Sequence, residues 1–282
     1  VNPTATSGQR FGPYRTERLL GQGSVGAVYL AEGAPGTPPV ALKVFSQAEL
    51  GDGDAAGAEA RDRFVAEARV LSGVTHPDIV AVLAAGEQLG RRWLAMELVP
   101  GVSLERYTRP ARLLPEPVAL AVAARVAGAL AFAHRAGIVH RDVKPANVLV
   151  HWPSDTVKLA DFGLARLADA ERTRTGLVLG SPAYMAPELL AGAEPTPASD
   201  LYALGVTLFQ LLSGRLPHDS ASMGELLRQV ASEPAPDLRT LRPELPGALA
   251  ALVARLLAKR RADRPADGDA LAAELRALAQ PS

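Results

Sequence analysis

Near Gly101 the chain changes the periodicity of its apolar residues. From about Tyr14 to Met96 they come in short runs such as Val28-Tyr29-Leu30 and Val40-Ala41-Leu42-Lys43-Val44, the length of strands, around one helical stretch at Phe64 to Leu71. Beyond Gly101 the spacing is mainly helical. Pro117 and Gly137 bracket one helix at its expected start and stop, and Gly214 ends an apolar helix from Leu201 to Leu212. Ser222-Met223-Gly224-Glu225 has the form of a capping box, and Gln47 to Gly57 reads as a surface loop. No internal repeat is present. The pattern predicts an α+β chain of two lobes: a small β-rich lobe with one main helix over residues 11–97, and a larger helical lobe over 98–279.

With 282 residues the chain is long enough to bury a substantial core without staples. It has no cysteine, which excludes a disulfide framework, a thiolate metal site and a cysteine nucleophile, and fits a reducing cytosol. The formal net charge is zero, so no overall basic field points to nucleic acid or an anionic membrane as main partner. The apolar stretch Val118 to Ala133 is interrupted by Arg125 and reads as a short, Ala-rich core helix; no membrane contact is expected within this segment. Nothing resembles a secretory signal, and Val1 in place of methionine suggests an excised or processed segment. The end, Gln280-Pro281-Ser282, has the composition of a linker's opening in a longer parent protein; the segment is expected to be cytoplasmic, alone or as the cytosolic domain of a longer membrane-anchored protein.

Three groups of residues carry chemistry. Gly21-Gln22-Gly23-Ser24-Val25-Gly26 is a G-x-G-x-x-G element, unspecific by itself. A strand follows it, whereas a dinucleotide fingerprint would open a helix, so a hairpin whose backbone approaches phosphates is favoured over an oxidoreductase reading. Lys43 lies on the next strand; a strand lysine is usually an exposed edge charge. Glu67, three residues after Phe64 and four before Leu71, shares their apolar helix face, where a carboxylate needs a partner, and Lys43 is the candidate. His140-Arg141-Asp142-Val143-Lys144-Pro145-Ala146-Asn147, then Asp161-Phe162-Gly163, gathers two carboxylates, an amide and cations. Singly these are turn caps and surface charges. Jointly, eight specified residues match by chance at on the order of 20 to the minus eighth power per start point.

The order and spacing of these elements resemble those of eukaryotic-like serine/threonine protein kinase catalytic domains, most of all bacterial members. The resemblance implies the two-lobed kinase fold and transfer of the ATP γ-phosphate to Ser/Thr hydroxyls of protein substrates, with Mg2+, or Mn2+ in its place. It implies that Asp142 orients the acceptor hydroxyl and that Asn147 and Asp161 hold the metal. Lys43, paired with Glu67, contacts the nucleotide, and Lys144 faces the developing charge. Gly21, Gly23 and Gly26 cover the phosphates. Val28, Ala41 and Leu149 enclose the adenine, with Met96 and the backbone of Glu97 and Leu98 at its edge. His140 stacks under Phe162 as a structural residue.

Gly180 to Glu188 resembles the substrate-docking loop, with Ser181 where the family often has threonine. Glu188 pairs with Arg264, as the resemblance implies, or Arg264 is one more charge of the solvated helix end Lys259 to Arg264. Thr173 and Thr175 are candidate autophosphorylation sites, with Arg141 as the cation that binds the phosphate. Bacterial relatives also suggest a homodimer through the small lobe. A catalytically silent scaffold is disfavoured because Lys43, Glu67, Asp142, Asn147 and Asp161 are all present. A small-molecule phosphotransferase has no need of the docking loop.

Overall fold

A computed structural model describes residues 7–23, 26–45, 64, 66, 68–88, 90–162 and 182–280. The predicted site residues Glu67, Thr173, Thr175 and Ser181, together with Gly163, lie outside the described residues. The chain forms two compact units, which divide at Pro100/Gly101.

The first unit is a six-stranded antiparallel sheet in the order β1-β2-β3-β4-β6-β5. Its strands are β1 Arg10–Phe11, β2 Tyr14–Gln22, β3 Gly26–Glu32, β4 Val40–Phe45, β5 Val82–Gln88 and β6 Arg91–Glu97. Strand alternation sorts the side chains onto two faces. Ala27, Tyr29 and Ala31 of β3, Val40, Leu42 and Val44 of β4, and Trp93 and Ala95 of β6 form one core with Phe11. Trp93 sets its spacing: a Cβ at Gly12 or Gly86 would lie 2.6 or 2.7 Å from the indole. Tyr14 meets the same ring edge-on at 5.7 Å. On the other face of β4, Phe45 packs edge-on against the buried ring of Phe64, 5.5 Å away, and Phe64, Ala66 and residues 68–72 are helical.

The second unit is built on the Glu116–Arg135 helix, packed by the Pro197–Ser213 and Gly268–Ala279 helices. Alanines dominate the central helix because a neighbour comes almost to backbone contact. A Cβ on Gly268 would sit 2.4 Å from the Ala127 carbonyl and 3.0 Å from the Ala131 Cβ. The helix extends beyond the expected Val118 to Ala133 and is, by length and composition, apolar enough to cross a membrane. Here Leu120, Ala127, Ala129 and Leu130 are fully buried in the unit's own core, the place expected of a core helix.

The Pro197–Ser213 helix starts a turn earlier than its apolar run, with Pro197 in its first turn and Thr196 as N-cap, and ends at left-handed Gly214. At Met223–Ser232 only half of the expected capping box forms. Ser222 Oγ accepts from the Glu225 N–H, but the Glu225 carboxylate turns to a two-bond pair with Arg228, a stronger partner than a backbone N–H. A small antiparallel sheet, β7 Val102–Ser103, β8 Val148–His151 and β9 Thr156–Leu159, lies beside the central helix and carries the site loops.

Candidate active site

In the second unit, the chain leaves the Glu116–Arg135 helix through left-handed Gly137 and enters residues 140–147. Pro145 starts a short 3-10 turn ending at Asn147, after which β8 runs antiparallel to β9 and returns the chain to Asp161. The Ala160 N–H donates to the Asn147 carbonyl at 2.8 Å, tying the two motifs together. The sequence spacing between Asn147 and Asp161 is thus one hairpin.

Within the loop, Asp142 Oδ2 receives Lys144 Nζ at 2.8 Å and Asn147 Nδ2 at 2.9 Å. Asn147 Nδ2 also donates to the Asp142 carbonyl at 2.8 Å. Both amide hydrogens of Asn147 are used within the loop, which leaves its Oδ1 as an oxygen donor. Among the described residues Asp142 Oδ1 takes no hydrogen bond, so one carboxylate oxygen is anchored and the other is available.

His140 is fully buried. Its Nδ1 accepts the Asp142 N–H at 3.2 Å, so the ring proton is on Nε2, which donates to the Ala160 carbonyl at 2.9 Å. Burial holds its pKa below the ordinary histidine value, against the opposing pull of Asp200, which keeps the ring neutral. The Phe162 ring lies 4.4 Å from it, tilted by 59°, so the two rings are in contact as expected but inclined rather than stacked.

Sequence reading missed the residue that holds this loop. Asp200, 1% exposed, accepts the main-chain N–H groups of His140 and Arg141 and the Nε2 of His134, each at 2.8 Å. The signal was there: a carboxylate opening an unbroken apolar run, Leu201-Tyr202-Ala203-Leu204, needs a partner. Arg141 and Asp161 both adopt left-handed backbone, φ 72° and 64°, which a side chain tolerates only where its surroundings impose it.

Glu188 and Arg264 form a two-bond pair with both contacts at 2.7 Å, and the Arg264 side chain is fully buried. Arg264 also stacks 4.9 Å over Tyr202 and bonds the carbonyls of Ala198 and Ala258. The solvated helix-end alternative is therefore wrong: five acceptor oxygens, the fifth being the Lys259 carbonyl at 3.3 Å, and a ring enclose the guanidinium.

In the first unit, the register aligns Val28 with Lys43 and Lys43 with Leu94, and Ala41 with Met96. Val28, Ala41, Lys43 and Met96 thus share one sheet face, opposite the Trp93 core. Lys43 is buried, at 8% exposure, rather than an edge charge. Leu149, on β8 of the second unit, is half-buried. The Glu97 N–H is spent on the Ala81 carbonyl at 3.0 Å, so that group offers no donor to a base; Leu98 is half-buried.

The donors present suit a magnesium nucleotide. Magnesium takes hard oxygen ligands and keeps several waters, so Asn147 Oδ1 and the Asp161 carboxylate suffice. Among the described residues no larger His/Asp/Glu cluster competes for it. The glycines divide in two. A Cβ at Gly21 or Gly23 would meet nothing within 4 Å, so packing does not require glycine there and the bare backbone is open to phosphates. Gly26 is required by the fold: its Cβ would lie 2.2 Å from the Val44 carbonyl.

Residues 14–275 match the protein kinase domain family. The serine/threonine-protein kinase PknJ of Mycobacterium tuberculosis is 42% identical over 261 residues, covering 90% of this chain and 43% of the relative. PkaB of Streptomyces coelicolor, also a serine/threonine-protein kinase, is 40% identical over 277 residues, or 94% of this chain and 63% of its own. The chain therefore spans less than two thirds of these curated relatives. The crystal structure of the Mycobacterium tuberculosis PknI kinase domain superimposes with a TM-score of 0.77 at 34% identity, covering 98% of this chain and all of that one. Matching family, relatives and fold, with a β-rich and a helical unit, the chain belongs to the protein kinase domain family.

Proposed function

We propose that this chain is the catalytic domain of a bacterial serine/threonine protein kinase, transferring the γ-phosphoryl group of ATP to Ser and Thr hydroxyls of proteins. The observation that carries the reading is the Asp142–Lys144–Asn147 cluster, in which one carboxylate oxygen is anchored at 2.8 and 2.9 Å and the other is left without a partner among the described residues. Asp142 Oδ1 then accepts the hydrogen bond of the acceptor hydroxyl and orients it for in-line attack. Lys144, already beside that carboxylate, counters charge on the transferring group. Lys43 does the same for the other phosphates, with Glu67 as its partner, and Gly21 and Gly23 allow backbone N–H groups to approach them. Val28, Ala41 and Met96 of the first unit are the apolar candidates for the adenine, with the Glu97 carbonyl and the Leu98 backbone for its polar edge, and the family resemblance adds Leu149 of the second unit. Bound magnesium supplies charge neutralisation on the phosphates. Asn147 Oδ1 and Asp161 are its protein donors, and manganese accepts the same oxygen set.

The rate gain comes from positioning and electrostatics, since the loop is held in place before substrate arrives. The Arg141 guanidinium has no partner among the described residues while its backbone is held by Asp200, which supports a phosphate-receptor role for Thr173 or Thr175 after autophosphorylation. Ser181 contributes the docking-loop hydroxyl and Glu188 locks that loop through Arg264. A cytosolic setting and a homodimer through the β-rich unit complete the reading.

Label transfer from γ-labelled ATP to protein tests it. Transfer that needs magnesium and is lost in Asp142→Asn and Lys43→Met supports the kinase. A wild type that binds ATP yet never transfers identifies a scaffold.

A further inference from the structure

We propose that Arg106, Arg109, Arg112 and Arg215 form a recognition face for acidic residues flanking the acceptor Ser or Thr of the protein substrate. The inference rests on the kinase reading above and names its substrate class.

The location is set by three contacts within the second unit. The Leu104–Tyr107 turn packs against the Pro145–Asn147 turn, beside Asp142. Tyr184, in the docking loop, donates its hydroxyl to Gln210 of the Pro197–Ser213 helix. Its phenol is pushed up to about 12, by burial first and then by the carboxylates of Glu105 and Asp142, which puts both within electrostatic reach. Finally, the end of that same helix abuts the segment: a Cβ on Gly214 would lie 2.7 Å from the Pro110 nitrogen. Residues 104–112 therefore run from the loop of Asp142 to the helix whose Gln210 accepts the Tyr184 hydroxyl.

All four arginines are exposed, and none has a hydrogen bond or ion pair through its side chain among the described residues. Arg239 and Arg276 of the same unit are also exposed without such a partner among the described residues, so it is the gathering of the four, not the lack of partners alone, that marks this face. Arg125, Arg135, Arg242 and Arg255 each reach a carboxylate. Arg109 precedes Pro110 and Arg215 follows Gly214, so the Pro110–Gly214 contact brings two distant stretches of cations together. Against these four charges the 104–112 segment has one carboxylate, Glu105, also exposed.

Guanidinium groups hold carboxylates in two-bond geometry, and partners left unmade in the free protein are available to an incoming chain. The gain is in selection and encounter more than in raw affinity. Nucleic acid is the less suitable occupant, because the chain's net charge is zero and the cations stand beside the hydroxyl-orienting loop rather than along an extended basic stripe.

The test compares Ser-containing peptides with three acidic, three neutral or three basic residues on either side of the acceptor. With wild type at low salt, kcat/KM for the acidic series is expected to exceed that for the basic series by about tenfold, falling as ionic strength rises. The variant R106E/R109E/R112E is expected to lose or reverse that preference while its rate on the neutral peptide is unchanged. Arg109→Gln and the salt titration of wild type keep the test sound if the triple variant folds poorly. Transfer with no charge preference, or with a preference untouched by the substitutions, overturns the inference. So does indifference to peptide charge coupled with strong inhibition by duplex DNA. Absence of transfer to any peptide or protein overturns the kinase reading instead.

Discussion

The Asp200 carboxylate accepts the main-chain N–H of Arg141 at 2.8 Å, joining a helix start to the loop 59 residues before it. Because Asp200 also takes the His140 N–H and the His134 ring, one buried group holds the left-handed turn that presents Asp142. Asp200→Ala leaves buried donors without acceptors and is expected to cost about 3–5 kcal/mol. Urea unfolding measures this. A loss under 1 kcal/mol refutes the anchoring role, and Asp200→Asn, keeping one acceptor oxygen, is expected to fall between.

The Glu188–Arg264 pair makes a pH prediction with a definite sign. Burial alone would raise the Glu188 pKa; the Arg264 hydrogen bonds outweigh it and hold the group below the ordinary 4.5. A carboxyl lowered on folding contributes stability that is fully present above the unfolded value and is lost as pH falls through the folded one. Wild type is therefore expected to melt about 2–3 kcal/mol above Glu188→Gln at neutral pH, with the two converging in acid. Parallel melting curves down to about pH 3 run against it.

The glycine element separates packing from binding. Gly26→Ala drives a Cβ into the Val44 carbonyl and is expected to destabilise the fold by about 2–3 kcal/mol. Gly23→Ala meets no atom within 4 Å and is expected to leave stability within about 0.5 kcal/mol of wild type while raising the KM for ATP. Thermal melting and nucleotide titration on both variants decide the matter; a folding defect in Gly23→Ala contradicts it.

Lys259 bonds the Val230 carbonyl at 2.7 Å and faces His218 Nε2 at 3.3 Å. Burial first, then Arg264, push its ammonium down to about 8 from 10.5. The charged form is thus penalised by folding, and the stability Lys259 contributes is present above its unfolded value and lost as pH falls through 8. Amine acylation read by mass spectrometry is expected to reach half its limiting rate near pH 8 at this position. A midpoint near 10.5 refutes the shift.

Much of the site was legible because it is local. Asp142, Lys144 and Asn147 lie within six residues, and one turn brings them together whatever the rest of the chain does. Strand alternation likewise assigns Val28, Ala41 and Lys43 to shared faces once the register is known. The Ser222 box was half right because Glu225 had a better partner one turn on.

The periodicity change at Gly101, the class of the two units, and the loop proposed for phosphoryl transfer were thus legible in the sequence alone, since they depend on residue type and short spacing. Only the tertiary structure decided that Asp200 holds that loop, that Arg264 is a buried partner of Glu188 rather than a solvated helix-end charge, and that Gly26 is a packing residue. Each of these is a contact between residues distant in sequence or on different strands. A carboxylate, a guanidinium or a glycine looks the same in a sequence whether it faces water or a partner, and burial makes the difference by removing the water that would otherwise satisfy it.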